Sequence, residues 1–446
     1  MSITGGSTSY IDIQPSNVPS NSLISYKDGN PVVSFVIAEQ DRYLIGSSLR
    51  IAGQIAVYKT PSGDFGTVPD STDDVRTNPK LGVYGIIDQV VLSSQVSKNT
   101  IEHIRHYGRF LSSYLPLISS QQEAFGHLGE TACSLPNAMG NQLAFSCNEN
   151  GSSATNRQYR GNSFCINLPS GFLMSKENIG LSSKGWGVGG LQIDIHLVPD
   201  SQFLRAPTHN QAFYQLSNLK LIAELINPAP DELSRLMSKT SGTMEYNAIS
   251  SYYTTIASTN AIVNLRLGLS RVLGVFMNFI PSANLNNLSQ DGYQTLPMIN
   301  NLTSGEIAAI KQITFLKGGM KVPLEYNITA NVRDDNSLVS ADPQILRNFM
   351  NSFLPFMKNI KTQVSPITYN RIPFKSADEF AAAGQMFGVG VAMDAISGEG
   401  LDFKNDTFTL QMETGLTDSS AVQSVFIFVR SKQTLVFNAN GLQVIQ

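Results

Sequence analysis

The sequence predicts an all-β protein built from two sandwiches, and three observations carry that reading. Of 446 residues only 15% are charged, while 35 are glycine and 20 proline, and hydroxyl and amide side chains are plentiful: a composition of strands joined by many turns. Segment after segment alternates apolar and polar residues with the period of two that a half-buried strand requires. The chain is also longer than one core fills, since single cores stop growing at roughly 250–300 residues.

The clearest alternating segments are Leu49, Ile51, Ile55 and Val57; Leu191, Ile193, Ile195 and Leu197; Val263, Leu265, Leu267 and Leu269; Val322, Leu324, Tyr326, Ile328 and Val332; and Phe408, Leu410 and Met412. Two others, VLGVFMNFI from Val272 and SVFIFV from Ser424, are apolar on both parities. They predict strands covered on both faces. Helices are few and short. Ser376 and Glu379 have capping-box spacing at the head of a segment reaching Phe387, which satisfies two free N–H groups at a helix start. Asp342–Pro343 opens ILRNFMNSFL, Pro230 opens DELSRLM, and SKNTIEHIRHYGRFLSSYL from Ser97 is the fourth helical candidate.

A boundary falls where the strand LSNLKLIAELI meets NPAPDELSRLM. It divides the chain into an N-terminal jelly roll with an N-terminal arm at 1–227, and a C-terminal jelly roll preceded by a short linker helix at 228–446. Each half closes alike, with an alternating strand, a connection and a long last strand. The first residues, MSITGGSTSYIDIQPSNVPSN, read either as a free tail or as an arm exchanged between subunits.

Charge and motifs exclude more than they suggest. A formal net charge of −3, with no run of Lys or Arg at either end, predicts no direct sequence-specific binding of nucleic acid. Three cysteines, Cys133, Cys147 and Cys165, favour a reducing compartment over a disulfide framework. The opening residues lack the basic and apolar regions of a secretory signal, and Asn264, Arg266 and Arg271 interrupt the longest apolar stretch, Ala261 to Pro281, so a spanning helix is rejected.

GWGVGG, from Gly185 to Gly190, runs into the strand LQIDIHLV and not into a helix, which predicts a glycine bend in place of a dinucleotide loop. His103 and His106 would share a helix face beside Glu102, and Asp194 and His196 share a strand face. With Arg105 and Arg109 around the first pair and no nucleophile elbow near the second, neither predicts a metal or catalytic site. The expectation is no enzyme, no cofactor and no metal.

The stretches FVIAEQDRYLIGSSLRIAGQIAVY, GIIDQVVLSSQVSKNTIEHIRHYGRFLSSYLP, FCINLPSGFL, AFYQLSNLKLIAELINPAPDEL and EYNAISSYYTTIASTNAIVN, the last followed by VFMNFIPS, run from about Phe35 toward Tyr326. Together they resemble the major capsid proteins of polinton-like viruses and virophages. The resemblance implies a double jelly roll of the hexon-like lineage. It further implies a homotrimer forming a pseudo-hexameric capsomer that tiles an icosahedral shell around a DNA genome, with penton or minor capsid proteins as further partners and the virion as its location. Because the chain has no basic arm, another protein or an internal membrane would line that shell.

That implication gives a use to the polar stretch Ser250 to Asn260. Tyr, Thr and Asn bury area and hydrogen-bond without charge pairing, so Tyr252, Tyr253, Thr254, Thr255 and Asn260 are expected at an inter-subunit or inter-domain contact. The alternatives are a solvated edge strand rich in β-formers, a carbohydrate-binding or carbohydrate-cleaving sandwich, and a minor virion component.

Overall fold

The computed structural model describes residues 6–19, 22–27, 29, 31–58, 76–78, 81–118, 131–132, 143–144, 162–175, 177–206, 211–293, 295, 312–327, 331–332, 338–340, 388–393, 399–413, 422–438 and 441–446. The helices expected at 342–354 and 376–387 lie outside them.

Strands from the first half are β1 (Ser7–Ile13), β2 (Val32–Ile37), β3 (Tyr43–Leu44), β4 (Arg50–Tyr58), β5 (Ile87–Ser94), β6 (Thr100–Ile104), β7 (Asn162–Asn167), β8 (Ile179–Gly180), β9 (Leu191–Leu197) and β10 (Phe213–Asn227). They form two sheets, one ordered β8-β3-β10-β4-β7 with β1 on the free side of β10, the other β2-β9-β5-β6. The second half supplies β11 (Ser241–Ile256), β12 (Asn260–Arg266), β13 (Val272–Pro281), β14 (Gln312–Lys317), β15 (Met320–Asn327), β16 (Val389–Ala392), β17 (Thr407–Glu413), β18 (Gln423–Asn438) and β19 (Gly441–Ile445). Their sheets run β11-β18-β13-β16, with β19 on β18, and β12-β17-β14-β15. All pairings are antiparallel, and every pairing among described strands stays on one side of 228–240.

The period-two expectations hold where alternation is strict: Leu191, Ile193, Ile195 and Leu197 of β9 are buried while Gln192, Asp194 and His196 are half-buried on the other face. Leu267 and Leu269, expected to extend the alternation of β12, follow the strand and not its pleat, which ends at Arg266. The two doubly apolar segments are β13 and part of β18. Val275, Met277, Phe279, Val425, Ile427 and Val429 are fully buried, and so are Phe276 and Phe428 on the opposite parity. This sheet is therefore covered on both faces, one by the other sheet of its own sandwich and the other by an element of the first half.

That element is α1 (Tyr107–Ile118). The helix expected from Ser97 begins ten residues later, because Thr100–Ile104 pairs with β5 through Val90–Ile104, Val91–His103 and Leu92–Glu102. β-branched Thr100, Ile101 and Ile104 suit that pleated pairing. His106, at φ 55, turns the chain out of the strand, and its carbonyl accepts the Arg109 and Phe110 N–H groups that start the helix.

The linker helix α2 (Pro230–Met237) forms as expected, with proline in its first turn beside Asp231 and Glu232, a proline and two acids where a helix start favours them. Its Leu233 and Leu236 pack on Tyr43, Trp186 and Ile226. Over Ser7–Ile13 the N-terminal segment pairs with β10, Ser7 opposite Asn227 through Ile13 opposite Leu221. Asn17 then hydrogen-bonds both ways to β2, donating to the Val32 carbonyl and accepting from the Ser34 N–H. The GWGVGG segment is a bend, with Gly189 and Gly190 at φ 72 and 81 ahead of β9, left-handed backbone that glycine adopts without steric cost.

Candidate functional site

The most elaborated described region is the seam between the two halves. Cross-strand register places Tyr253, Phe426 and Asn278 in one row of the β11-β18-β13 sheet and Ser251, Phe428 and Phe276 in the next, on one face. Helix α1 lies across these rows. The Phe110 ring is 5.9 Å from Phe276 and 5.7 Å from Phe428, and it stacks on Tyr114 at 5.1 Å. The Asn278 amide donates to the Arg109 carbonyl at 2.9 Å and to Ser113 Oγ at 3.0 Å. The NH2 of the lone amide inside VLGVFMNFI thus meets the helix backbone, satisfying its donors.

Glu102, on edge strand β6, is buried. Its Oε1 accepts the N–H of Ile249 on β11 at 2.8 Å and of Gly171 at 3.2 Å, and its Oε2 accepts the N–H of Phe172 at 2.9 Å. One carboxylate thereby joins a strand of the second half to a loop of the first. Burial raises its pKa to about 7, against the opposing pull of those N–H groups and of Ser170. The Tyr246 hydroxyl adds a further tie, 2.7 Å from the Ile101 carbonyl and 3.0 Å from Gln433 Oε1. Replacing Tyr246 by Phe is expected to cost about 1 kcal/mol, read as a small drop in the urea midpoint with the slope unchanged. Farther along, Tyr293 donates to the Gly85 carbonyl and the Asn78 amide donates to Asp291, while Asn99 donates to the Leu442 carbonyl of β19.

The expected contact residues lie beside this seam. Tyr253 is 48% exposed, its ring 5.1 Å from Phe426 and 5.8 Å from His106, and its hydroxyl is 3.2 Å from Ser424 Oγ. Thr255 is exposed on the same parity of β11. Tyr252 and Thr254 alternate with them and are half-buried, Tyr252 packing against the core. Asn260 is exposed at the start of β12, opposite Glu413. Of the five, Tyr253 is the one brought against the first half.

The helical His103–His106 pair does not exist, because β6 is a strand. His103 Nε2 lies 2.8 Å from Gln89 Oε1, and the His106 ring packs 5.0 Å from Phe426. Burial, and then the Arg109 charge, push the His106 pKa down to about 4. Its 3.9 Å approach to Asp88 is therefore no ion pair at neutral pH. Asp194 and His196 do share a face of β9, where both oxygens of Asp194 accept from Gln192 Nε2 at 3.1 Å. Among the described residues no three His, Cys, Asp or Glu side chains are placed to hold a metal, and no helix is long and apolar enough to cross a membrane. Trp186, the one tryptophan, is 5% exposed and so offers no platform to a sugar.

Asn278 and Tyr293 were not singled out by their sequence, and Glu102 and Arg109 entered it only as neighbours of the His103–His106 pair. Only Asn278 carried a signal, as a polar residue in an apolar strand.

No family model and no curated protein matches the sequence. Solved structures do match. The Faustovirus major capsid protein superposes with a TM-score of 0.60 at 9% identity, covering 98% of this chain and 92% of that one. VP54 of PBCV-1, fitted into a reconstruction of the virophage Sputnik, gives 0.58 at 11% identity over 100% and 98% of the two chains. The fold is a double jelly roll. The cryo-EM structure of the Sputnik virophage itself gives 0.51 at 11% identity, over 100% of this chain and 89% of that one. The likeness spans both jelly rolls of this chain, and the seam described above is where they join.

Proposed function

We propose that this chain is the major capsid protein of a virus, a structural subunit and not an enzyme. The observation that carries the reading is coverage: the double jelly roll matches the Faustovirus major capsid protein across 98% of this chain and 92% of that one. Such length agreement means that the likeness is to the whole double sandwich and not to one jelly roll. In this reading the jelly rolls occupy 1–227 and 228–446. Three copies form a pseudo-hexameric capsomer, and capsomers tile an icosahedral shell closed by penton or minor capsid proteins and lined by another protein or an internal membrane. Closed symmetry lets modest identical contacts sum to a finite assembly.

Support for a contact at Tyr252, Tyr253, Thr254, Thr255 and Asn260 comes from exposure at the end of the seam. Tyr253 leaves 48% of its surface open, and among the described strands β11 pairs with β18 on one side only, so an edge and an aromatic ring are presented together.

The test is the mass of purified protein in solution by light scattering, with imaging of the peak. A species three times the 48.5 kDa chain with a hexagonal outline is expected, and a Tyr253→Asp variant should fold alike but yield less of it. A monomer at every concentration would overturn the capsid reading. Normal assembly of Tyr253→Asp would remove the residue from the contact.

A further inference from the structure

Among the described strands the two halves repeat one topology. In the first, β1, β4, β7 and β10 lie in the order β1-β10-β4-β7, and β2, β5, β6 and β9 in the order β2-β9-β5-β6. In the second, β11, β13, β16 and β18 lie as β11-β18-β13-β16, and β12, β14, β15 and β17 as β12-β17-β14-β15. The seam joins unlike parts of this repeat. Its first-half side is edge strand β6 with the turn before it and α1 after it; its second-half side is β11, β18 and β13. A contact between unlike surfaces is head-to-tail. A chain of two like units therefore uses one surface of each kind internally and keeps one of each for another copy.

The remaining surfaces are the outer face of β1-β10-β4-β7 and the β14–β15 hairpin. In the seam the row Ser251, Phe428, Phe276 holds two fully buried rings. On the matching sheet of the first half, register lines up Asp12, Ile222, Arg50 and Asn167, with Lys220 and Ala52 in the next row, and none of these side chains is buried. Along β1, Ile11 and Ile13 pack on the core, whereas Tyr10 points outward opposite Glu224 and is 67% exposed. On the second half Met320 follows the two-glycine turn Gly318–Gly319 and is 71% exposed. Among the described residues these are the two most exposed large apolar side chains, one on each surface.

The seam indicates where they meet. Asn99, at the end of the β5–β6 turn, donates to the carbonyl of Leu442, in the row Gly242, Phe437, Leu442 at the far end of β18. The matching end of β10 holds the row Thr8, Ile226, Tyr43. Because α2 already packs on Ile226 and Tyr43, the open side of that end is β1, where Tyr10 is the next outward residue after Thr8.

We propose that the outer face of β1-β10-β4-β7 receives the β14–β15 hairpin of a second copy, with Met320 against Tyr10, in the head-to-tail sense of the intrachain seam. The inference rests on the capsomer reading and names the two surfaces through which copies join. A thioether on an aromatic ring is a favourable contact. Lys220 and Asp12 answer one another at 2.6 Å, so covering them leaves neither charge without its partner.

Sedimentation of the full chain tests this with Tyr10→Asp and Met320→Asp. Both positions are exposed, so urea midpoints should stay near wild type while each variant weakens self-association on the order of tenfold or more. Tyr10→Lys combined with Met320→Asp should associate more tightly than Met320→Asp alone. A chain carrying both Tyr10→Cys and Met320→Cys should be cross-linked between copies by a short bismaleimide above the level of wild type, and neither single variant should. Unchanged association of both Asp variants overturns the proposal, and so does cross-linking of Tyr10→Cys alone, which would pair like faces. A trimer indifferent to these variants removes this contact and leaves the capsid reading standing, whereas a chain that stays monomeric overturns both.

Discussion

Replacing Phe110 by alanine is expected to destabilise the protein by about 3–5 kcal/mol, the cost of emptying a buried aromatic site that its neighbours cannot refill. The ring is fully buried and lies between its own helix and the other half, against Tyr107 and Tyr114 on one side and Phe276 and Phe428 on the other. Those last two belong to β13 and β18, the central strands of a sheet that is apolar on both faces. The cavity would therefore open at the seam and not inside either sandwich. Equilibrium unfolding in urea should show the lowered midpoint. A control, Phe315→Ala, empties a fully buried site on β14, within the second half. If the seam couples the jelly rolls, Phe110→Ala should split unfolding into two steps, while Phe315→Ala should lower the transition of the second half. A single transition for Phe110→Ala with a midpoint shift below about 1 kcal/mol would mean that α1 does not join the halves.

Much of this arrangement was legible in the sequence, for reasons that differ between elements. β9 could be read from its alternation because one face meets core and the other does not. β13 and β18 could be read as doubly covered from apolar runs, but the sequence could not say what covers the second face. That cover is α1, and its first residues were misread. Thr100 to Ile104 has the residues of a strand, yet it adjoins a true amphipathic helix, and the strand's partner β5 lies in a separate segment whose register no local window contains. The polar ties of the seam were illegible for the same reason. Glu102 is meaningful only once Gly171, Phe172 and Ile249 converge on it, and Arg109 only once Phe426 and Tyr293 flank it. Tyr253 was expected at a contact because tyrosine buries area and hydrogen-bonds without charge pairing, but its neighbour His106 lies at the head of α1, which no local window around β11 contains.

The carboxylate at the centre of the seam should make stability depend on pH. Among the described residues no cation acts on Glu102: the tyrosines facing it, Tyr107 from α1 and Tyr246 from β11, are held neutral by burial, and its other partners are backbone N–H groups and Ser170. Burial raises its pKa from 4.5 to about 7, so the folded protein holds this proton more tightly than the unfolded chain. A group of that kind contributes stability that is fully present below the unfolded value and is lost as pH rises through the folded one. The window runs from pH 4.5 to about 7, and the loss across it is on the order of 3 kcal/mol. Glu102→Gln, neutral at every pH, keeps one acceptor oxygen but turns an NH2 toward an N–H donor, so it should be less stable than wild type at pH 5. The difference should shrink as pH rises toward 8, because only the wild type bears the buried charge there. Urea midpoints of both proteins across that range decide the matter. Parallel profiles would mean that the three N–H groups hold the carboxylate ionised throughout, with burial the lesser influence.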